Sequence, residues 1–209
     1  MQEASLTFHK KQKSCLELAL QNEDEVVCGI ENNGHGYRYC SFATQESFAA
    51  FLLSDHIDSK YTNEMLTRAT VSFFDIDAKC SLSELQWETK KALLDSITKF
   101  LKECFKKYLN VILKKKDFKW SDSTRQEKVS FHLVIQHSDF YWKAEHRTEL
   151  KHLVQQIRKD SLKQFGMYTY KELNGSLVKE SIFDPAVYTK NRLFRCLSCA
   201  KRENDICLK

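Results

Sequence analysis

Along the chain, hydrophobic positions switch between a spacing of two residues, typical of strands, and a helical spacing. Alternation or β-branched and aromatic content predicts strands over 34–42, 67–77 (TRATVSFFDID), 127–137 (EKVSFHLVIQH) and, after an Asp-Pro break, 187–196 (VYTKNRLFRC). Helical spacing predicts a weak helix over 5–21, a helix capped by Thr44, and long amphipathic helices over 143–165 and from Ser81 or Ser83 to Leu113. This alternation indicates a mixed α/β or α+β domain in which long helices cover the strands.

The composition is that of an ordinary globular chain. With 209 residues, of which 42% are hydrophobic and 29% charged, the chain is long enough for one well-cored folding unit. The net charge of +5 and the pI near 8.7 lean toward an anionic partner without establishing one. Because no eighteen apolar residues run together and no secretory signal occurs, we expect a soluble, intracellular protein with no membrane partner.

The eight cysteines are scattered along the chain, and we expect free thiols in a reducing compartment. Cys196 and Cys199 have the spacing of a zinc knuckle and Cys207 follows them, but a closed structural zinc site needs four ligands. Ordinary reduced cysteines are the favoured interpretation, and zinc binding is the alternative.

Two aspartates stand at the end of the apolar stretch SFFDIDAK (72–79). Strand side chains alternate between faces, so Asp75 and Asp77 emerge on the same side. Two neighbouring anions repel each other unless cations bridge them, and hard carboxylate oxygens suit Mg²⁺ or Mn²⁺. An acidic pair in solvent, or Asp77 as a cap of the following turn, explains the pattern without a metal.

The next predicted strand carries polar residues on one face only. In KVSFHLVI (128–135), Lys128, Ser130 and His132 share that face. An ammonium group, a hydroxyl and an imidazole are suitable donors for the phosphate oxygens of a metal-bound triphosphate. Taken alone, a histidine satisfied within the sheet is the plainer explanation of His132.

A third polar cluster lies in FDPAVYTKNRLFRCLSCAK (183–201), where Asp184 is followed by Lys190, Arg192, Arg195 and Lys201. In two-metal phosphoryl transfer, carboxylates hold both ions while basic side chains neutralise the triphosphate and the leaving pyrophosphate. A sheet-edge strand whose charges discourage aggregation would have the same composition.

These three motifs together resemble the archaeo-eukaryotic primase superfamily. Asp75-x-Asp77, the Ser130-x-His132 pair within DSTRQEKVSFHLVI, and DPAVYTKNRLFR beginning at Asp184 occur in the order found in that family, and YTNEML precedes the acidic strand. The likeness spans about residues 34–202 and is, in particular, to eukaryotic primase-polymerases and poxvirus-like viral primases.

The resemblance implies an α+β, two-lobed primase fold, with a mixed or antiparallel catalytic sheet that is related to RNA-recognition folds and covered by long helices. Residues 1–209 would form a single catalytic domain, with an N-terminal lobe over about 1–65, a catalytic lobe over about 66–209 and no C-terminal zinc domain. The implied reaction is template-directed nucleotidyl transfer that extends or initiates primers on single-stranded DNA.

The resemblance also implies a set of site residues. The catalytic residues, which would also be the ligands of Mg²⁺ or Mn²⁺, are Asp75, Asp77 and Asp184. The nucleotide-binding residues would be Lys128, Ser130, His132, Arg192, Arg195 and Lys201, with a structural role open for Arg195. Many relatives carry glutamate at the position of Asp77, which puts the metal preference in doubt.

The partners implied by the resemblance are nucleoside triphosphates and a single-stranded DNA template with its primer. A helicase or a single-strand-binding protein is a further candidate partner. The nucleus, a mitochondrion and a virus-infected host cell are equally compatible locations.

Two other classes of function fit part of the pattern. A nucleotide-sugar glycosyltransferase also uses Asp-x-Asp to hold a metal-bound diphosphate, but it would not explain Ser130-x-His132 or the cluster after Asp184. A non-catalytic nucleic-acid-binding subunit with vestigial acids is the second alternative. For contacts with a single strand, Tyr37–Tyr39 and Phe118–Trp120 are candidates that could equally be packing residues.

Overall fold

The structure, a computed structural model, describes residues 7–19, 25–32, 36–65, 71–143, 146–189, 192–196 and 198–200. Within these ranges the chain is α+β, with four α-helices and ten strands, and all strand pairings are antiparallel. The expected α+β class is thus confirmed. Among the described helices, none combines the length and apolar character that a membrane-crossing helix needs.

The chain forms two compact units, one made of residues 1–67 with 190–209 and the other of residues 68–189. The first unit contains α1 (Gln12–Ala19), β1 (Val26–Glu31), β2 (Tyr37–Phe42), α2 (Gln45–Leu52), β3 (Thr62–Met65) and β10 (Leu193–Arg195). Its sheet has the order β10-β3-β1-β2. The expected N-terminal lobe of residues 1–65 did not include β10, which joins this sheet by pairing Leu193 with Met65.

Strand β1 is the centre of the first unit. One hydrophobic cluster contains Val26, Cys28, Ile30, Cys40, Phe42 and Phe48, and a second contains Cys15, Ala19, Val27 and Met65. Gly29 packs closely against β10, since a Cβ there would lie 2.7 Å from Leu193 Cδ1 and the leucine side chain would have to shift. Helix α2 begins after Thr44, whose Oγ1 accepts a hydrogen bond from the Ser47 amide while the Thr44 amide donates to Ser47 Oγ. The predicted cap is therefore confirmed, with a serine completing the reciprocal pair.

The second unit contains the other long helices and strands. Its bounds are β4 (Ser72–Ala78), α3 (Lys90–Leu109), β5 (Phe118–Asp122), β6 (Val129–Ile135), α4 (Arg147–Ser161), β7 (Tyr168–Leu173), β8 (Ser176–Ser181) and β9 (Phe183–Asp184). The main sheet has the order β5-β6-β4-β9, and β7 and β8 form a separate hairpin. Asn174 and Gly175 at the hairpin turn both have positive φ, as a tight two-residue turn requires.

Helix α3 packs on the apolar face of the main sheet, and α4 packs beside α3. Helix α3 contributes Leu93, Ile97, Phe100, Leu101, Cys104 and Phe105, and α4 contributes Leu150, Leu153, Val154 and Ile157. Phe74 of β4 is in edge contact with Phe105, with ring centroids 6.3 Å apart, and with Phe183 at 5.9 Å. This packing fixes which face of the sheet remains for polar residues.

Helix α3 begins later and ends earlier than its apolar spacing predicted. Thr89 caps its start by accepting a hydrogen bond from the Ala92 amide, and turns occupy residues 82–86. Asn110, in the left-handed conformation at φ 55°, ends the helix. The predicted helix therefore started about two turns too early and ended about one turn too late.

Truncation of Phe74 tests the contact between sheet and helices. We expect Phe74→Ala to lower the free energy of unfolding by about 3–5 kcal/mol, because a fully buried ring leaves a cavity. Trp87, Trp120 and Trp142 all belong to the second unit, so urea unfolding followed by tryptophan fluorescence reports on that unit. Leu177→Ala, at an exposed position on the hairpin, is the control and should change stability by less than about 0.5 kcal/mol.

Candidate active site

The register of three strands brings most of the predicted site residues to one face of the main sheet. Asp75 on β4 lies opposite His132 on β6 and opposite Asp184 on β9, and Asp77 lies opposite Ser130. Directly opposed residues of antiparallel strands share a face, with Cα atoms about 4.5–5.5 Å apart. The three acids and the Ser-x-His pair therefore form one polar patch, although Asp184 is far from the others in sequence.

This face carries the polar residues because the opposite face is buried in the hydrophobic core. Phe74 and Ile76 are buried against the helices, and alternation then directs the residues between and after them to the opposite side. The side chains of Asp75 and Asp77 remain 21% and 25% exposed. The carboxylates are thus partly open to a ligand while they stand on a rigid strand.

Asp77 is neutralised by the lysine that precedes β6. Lys128 Nζ lies 2.7 Å from Asp77 Oδ1, and both side chains are about one-quarter to one-third exposed. Asp77 Oδ1 is nevertheless buried and has no aligned hydrogen-bond donor within the described residues. The contact is consequently an ion pair that leaves this oxygen with unused acceptor capacity.

The Ser-x-His pair is held next to the acids. His132 Nε2 lies 3.8 Å from Asp75 Oδ1, a contact that becomes an ion pair when the imidazole is protonated. Ser130 Oγ accepts a hydrogen bond from Ser123 Oγ at 3.0 Å, and the Ser130 amide donates to Thr124 Oγ1 at 3.1 Å. The segment after β5 thereby fixes the orientation of Ser130.

Asp184 stands where β9 ends and a 3₁₀ helix, Ala186–Tyr188, begins. Its Oδ1 accepts a hydrogen bond from the Ala186 amide at 2.8 Å. Tyr188 is buried, stacks on Phe73 with ring centroids 5.0 Å apart, and donates a hydrogen bond to the Phe73 carbonyl oxygen. Burial, followed by the charges of Asp75 and Asp184, raises the pKa of Tyr188 well above its usual value. A buried, neutral tyrosine therefore lies close to Asp75 and Asp184.

The donor chemistry of the patch fits a hard divalent cation. Carboxylate oxygens are the ligands that Mg²⁺ and Mn²⁺ prefer, and Asp77 Oδ1 accepts no aligned hydrogen bond from the described residues, although Lys128 Nζ lies 2.7 Å away. As the side chains stand, no three His, Cys, Asp or Glu residues in the described part of the chain are grouped to hold a metal. Binding would therefore require rotation of the Asp184 carboxylate away from the Ala186 amide and of Lys128 away from Asp77.

A cavity of about 650 Å³ opens beside two of the acids. Its walls include Asp77, Asp184, Arg158 of α4, and Tyr168 and Lys171 of the hairpin. Volumes of roughly 300–1,000 Å³ are usual for sites that enclose small-molecule ligands, so a nucleotide is of suitable size. The cavity is thus lined by carboxylates together with cationic and aromatic groups.

The hairpin side of the cavity was not predicted from sequence. The signal for it is present in the sequence, because the alternating stretches YTYKEL and SLVKES stand on either side of an Asn-Gly pair. Arg158 was overlooked because it lies within a helix whose spacing was explained by its apolar stripe. Its Nε is buried and has no hydrogen-bond partner among the described residues.

The remaining predicted basic residues belong to the first unit or lie outside the described residues. Arg195 is on β10 opposite Asn63, and Arg192 is exposed just before that strand. Burial raises the pKa of Tyr37, with a further contribution from Glu31, while the charges of Arg195 and Arg192 oppose the shift. Lys201 lies outside the described residues, so its predicted role stays a prediction.

The cysteines of the Cys-x-x-Cys segment are free thiols in the structure, as are the other described cysteines. Cys199 Sγ donates to the Ser59 carbonyl oxygen at 3.1 Å, and the Cys199 amide donates to the Cys196 carbonyl oxygen. The third candidate zinc ligand, Cys207, lies outside the described residues.

Comparison with protein-family models and with curated proteins gives no match to this chain. The likeness to primases is consequently carried by motifs alone. What the fold adds is the geometry of those motifs, in which three carboxylates from two distant segments stand on one face of one sheet.

Tyr188→Phe tests the hydrogen bond between the Tyr188 hydroxyl and the Phe73 carbonyl. The variant should be less stable at pH 8 by about 1–3 kcal/mol, because the buried Phe73 carbonyl loses its donor. A raised pKa means that the folded state holds the phenolic proton more tightly, so this contribution is complete below about pH 10 and is lost as the pH rises further. Urea unfolding from pH 8 to 11 should show the wild type losing its advantage above pH 10.

Tyr141→Phe is the matched control, because Tyr141 is a largely exposed tyrosine of the same unit. It should leave the stability unchanged at pH 8 and preserve the alkaline decline of the wild type. An equal stability of Tyr188→Phe and wild type at pH 8 would contradict the described hydrogen bond.

Proposed function

We propose that this protein is a metal-dependent nucleotidyltransferase of the archaeo-eukaryotic primase type, which adds nucleotides to a primer on a single-stranded DNA template. The observation that carries the proposal is the strand register that groups Asp75, Asp77 and Asp184 with Ser130 and His132. Three carboxylates beside phosphate donors are the functional groups that a two-metal nucleotidyl transfer requires.

The architecture supports the same class. A four-stranded antiparallel sheet carries the acids on one face and is packed against the long helix α3 on the other, which fits the proposed primase fold with its sheet of the RNA-recognition type. The division of the chain into two compact units is compatible with a two-lobed catalytic domain.

Mg²⁺ or Mn²⁺ held by Asp75, Asp77 and Asp184 would activate the attacking 3′-hydroxyl and neutralise charge on the triphosphate. Lys128, which neutralises Asp77, is a flexible cation that can turn to a phosphate oxygen. Ser130 is buried and fixed by hydrogen bonds, so its hydroxyl offers a positioned phosphate contact. The resemblance further predicts that the nucleotide is contacted by Arg192, Arg195 and Lys201.

His132 is suited to bind phosphate rather than to accept a proton from the nucleophile. Its Nε2 lies 3.8 Å from Asp75 Oδ1, on the face that carries the acids, and an imidazole N–H at this position can donate a hydrogen bond to a phosphate oxygen. In the proposed reaction, the 3′-hydroxyl oxygen bonds to the α-phosphorus and the bond to the bridging oxygen of pyrophosphate breaks. The chemistry needs no covalent intermediate with the protein.

The decisive experiment is extension of a labelled primer on a single-stranded template with Mg²⁺ and with Mn²⁺. Asp75→Asn, Asp77→Asn and Asp184→Asn should each lower the rate by at least about 100-fold, since changes even to groups behind metal ligands cost 10–100-fold. Asp122→Asn is the control, because Asp122 has a lysine 2.7 Å away and accepts from the Thr124 amide, as Asp77 and Asp184 do with their own neighbours.

The outcomes separate the three classes of function. Extension lost in the three variants and kept in Asp122→Asn supports the proposal, and undiminished extension in all of them contradicts the assigned site. Metal-dependent sugar transfer without extension of DNA would instead indicate a glycosyltransferase. DNA binding that is independent of the acids, with no synthesis by the folded wild type, would indicate a binding subunit.

A second prediction concerns His132. His132→Ala should raise KM for the nucleoside triphosphate by about tenfold while kcat falls less, because a charge-assisted hydrogen bond contributes about 1.5–3 kcal/mol. Steady-state extension over a range of nucleotide concentrations measures both constants. His137→Ala, just beyond the end of β6, should leave them unchanged, and a fall in kcat with constant KM would contradict a nucleotide-binding role for His132.

A further inference from the structure

The polar face of the main sheet continues from β6 onto β5. Ser121 of β5 lies opposite His132, which in turn lies opposite Asp75. Ser123 follows the end of β5, and its amide donates to the Ser130 carbonyl oxygen at 2.9 Å, so the same register continues to this pair. Two rows of side chains thus cross the sheet, from the acids at one end to serine hydroxyl groups at the other.

Alternation along β5 directs these two hydroxyl groups away from the core. The ring of Trp120 is in edge contact with the buried ring of Phe131, with centroids 6.2 Å apart, so Trp120 belongs to the core face. Successive strand side chains point to opposite faces, and Ser121 and Ser123 consequently belong to the face of the acids. Both serines are partly exposed, so a ligand on this face can reach them.

Ser123 controls what the Ser130 hydroxyl can do. Ser123 Oγ donates a hydrogen bond to Ser130 Oγ at 3.0 Å, and Ser130 is buried. A hydroxyl has one proton to donate and two sites that accept, so this contact leaves the Ser130 proton unused. The hydrogen bond that Ser130 accepts also polarises its hydroxyl, which makes it a stronger donor. Ser130 is therefore held with its proton available to a ligand.

Ser121 is a second donor on this face. Within the described residues its hydroxyl makes no hydrogen bond, and it stands beside His132 in the register of β5 and β6. Neighbouring strands lie about 4.8 Å apart, so two strand spacings place Ser121 roughly 10 Å from Asp75 across the sheet. A single ligand that contacts both the acids and Ser121 has to be extended.

The proposed function gives such a ligand a direction. The α-phosphate of the incoming nucleotide has to lie at the metal-binding acids of β4 and β9, because the 3′-hydroxyl attacks it there. The rest of the triphosphate then extends over the phosphate donors of β6, and β5 is the next strand of the sheet. The terminal phosphate is consequently the group that comes nearest to Ser121.

We propose that β5 binds the terminal phosphate of the incoming nucleotide. Ser121 donates a hydrogen bond to a terminal phosphate oxygen, and Ser123 is a positioning residue that acts through Ser130. The inference rests on the proposed function and adds to it a specificity for nucleoside triphosphates over diphosphates. A diphosphate that is bound at the acids ends before it reaches β5.

The test measures binding of fluorescent nucleotide analogues in which a methylene group replaces the α–β bridging oxygen, so that they are not cleaved. The full chain is titrated in Mg²⁺ without DNA, once with the triphosphate and once with the diphosphate, and fluorescence anisotropy reports the affinity. Ser121→Ala should weaken triphosphate binding by about tenfold, since a hydrogen bond to a charged group is lost. Diphosphate binding should stay unchanged.

Ser123 is tested through its coupling to Ser130. Ser123→Ala should weaken triphosphate binding by about fivefold in the wild type and hardly at all in Ser130→Ala, because a positioning residue has no effect once the group that it orients is gone. Ser123→Thr keeps a hydroxyl at this position and should retain wild-type affinity. Losses that simply add in the double variant would contradict the positioning role.

Ser138→Ala is the matched control. Ser138 Oγ donates to Asp139 Oδ2 at the same 3.0 Å that joins Ser123 to Ser130, and Ser138 lies beyond the end of β6. This variant should leave both affinities unchanged. Ser121→Ala and Ser123→Ala proteins that unfold in urea like the wild type and bind the triphosphate with wild-type affinity would overturn the inference. An equal loss of triphosphate and diphosphate binding in Ser121→Ala would overturn it as well.

Primer extension separates this inference from the proposed function. Ser121→Ala should raise KM for the nucleoside triphosphate by about tenfold with little change in kcat, as expected for a lost binding contact. Extension that is lost in Asp77→Asn but has a wild-type KM in the serine variants would reject the role of β5 and keep the active site. A folded wild type that neither extends primers nor binds the nucleotide would reject both.

Discussion

The antiparallel register of β4 with its neighbours is the constraint on which the rest of the site depends. A slip by one residue would turn Asp75 and Asp77 into the core and bring Phe74 to the surface. Helix α3 prevents this slip, because Phe74 and Phe105 pack in edge contact beneath the sheet. Burial of the apolar face thus holds the carboxylates together on the opposite face. By themselves the carboxylates would repel one another.

Three carboxylates on one face repel one another, so their negative charge must be offset. Each carboxylate has a different neighbouring group that does this. Lys128 neutralises Asp77, the Ala186 amide donates to Asp184, and His132 is close to Asp75. Each of these three interactions is weak or is made by a neighbour along the chain, and none of the partners is fixed in the hydrophobic core. A hard cation could replace such partners at small cost, whereas it could not displace a fully buried ion pair so readily.

The β7–β8 hairpin gives the second unit a surface that, unlike the main sheet, is exposed on both faces. Most sheet residues of β7 and β8 are exposed, so the pair is held mainly by its own ladder, by a hydrogen bond between Ser161 and Ser181, and by contacts with α4. Exposure on both faces leaves room for cations and rings that a core strand excludes. The hairpin consequently presents Tyr170 on one of its faces and Lys171 on the other.

The sequence by itself determined the features that depend on neighbours along the chain. The period of two placed Asp75 with Asp77 and Ser130 with His132, and Thr44 signalled the start of α2, because faces of a strand and caps of a helix are local properties. Only the tertiary structure decided which distant segments pair. It set Asp184 opposite Asp75, returned β10 to β3 and joined Arg158 to the hairpin, since register between distant strands depends on packing that no local spacing encodes.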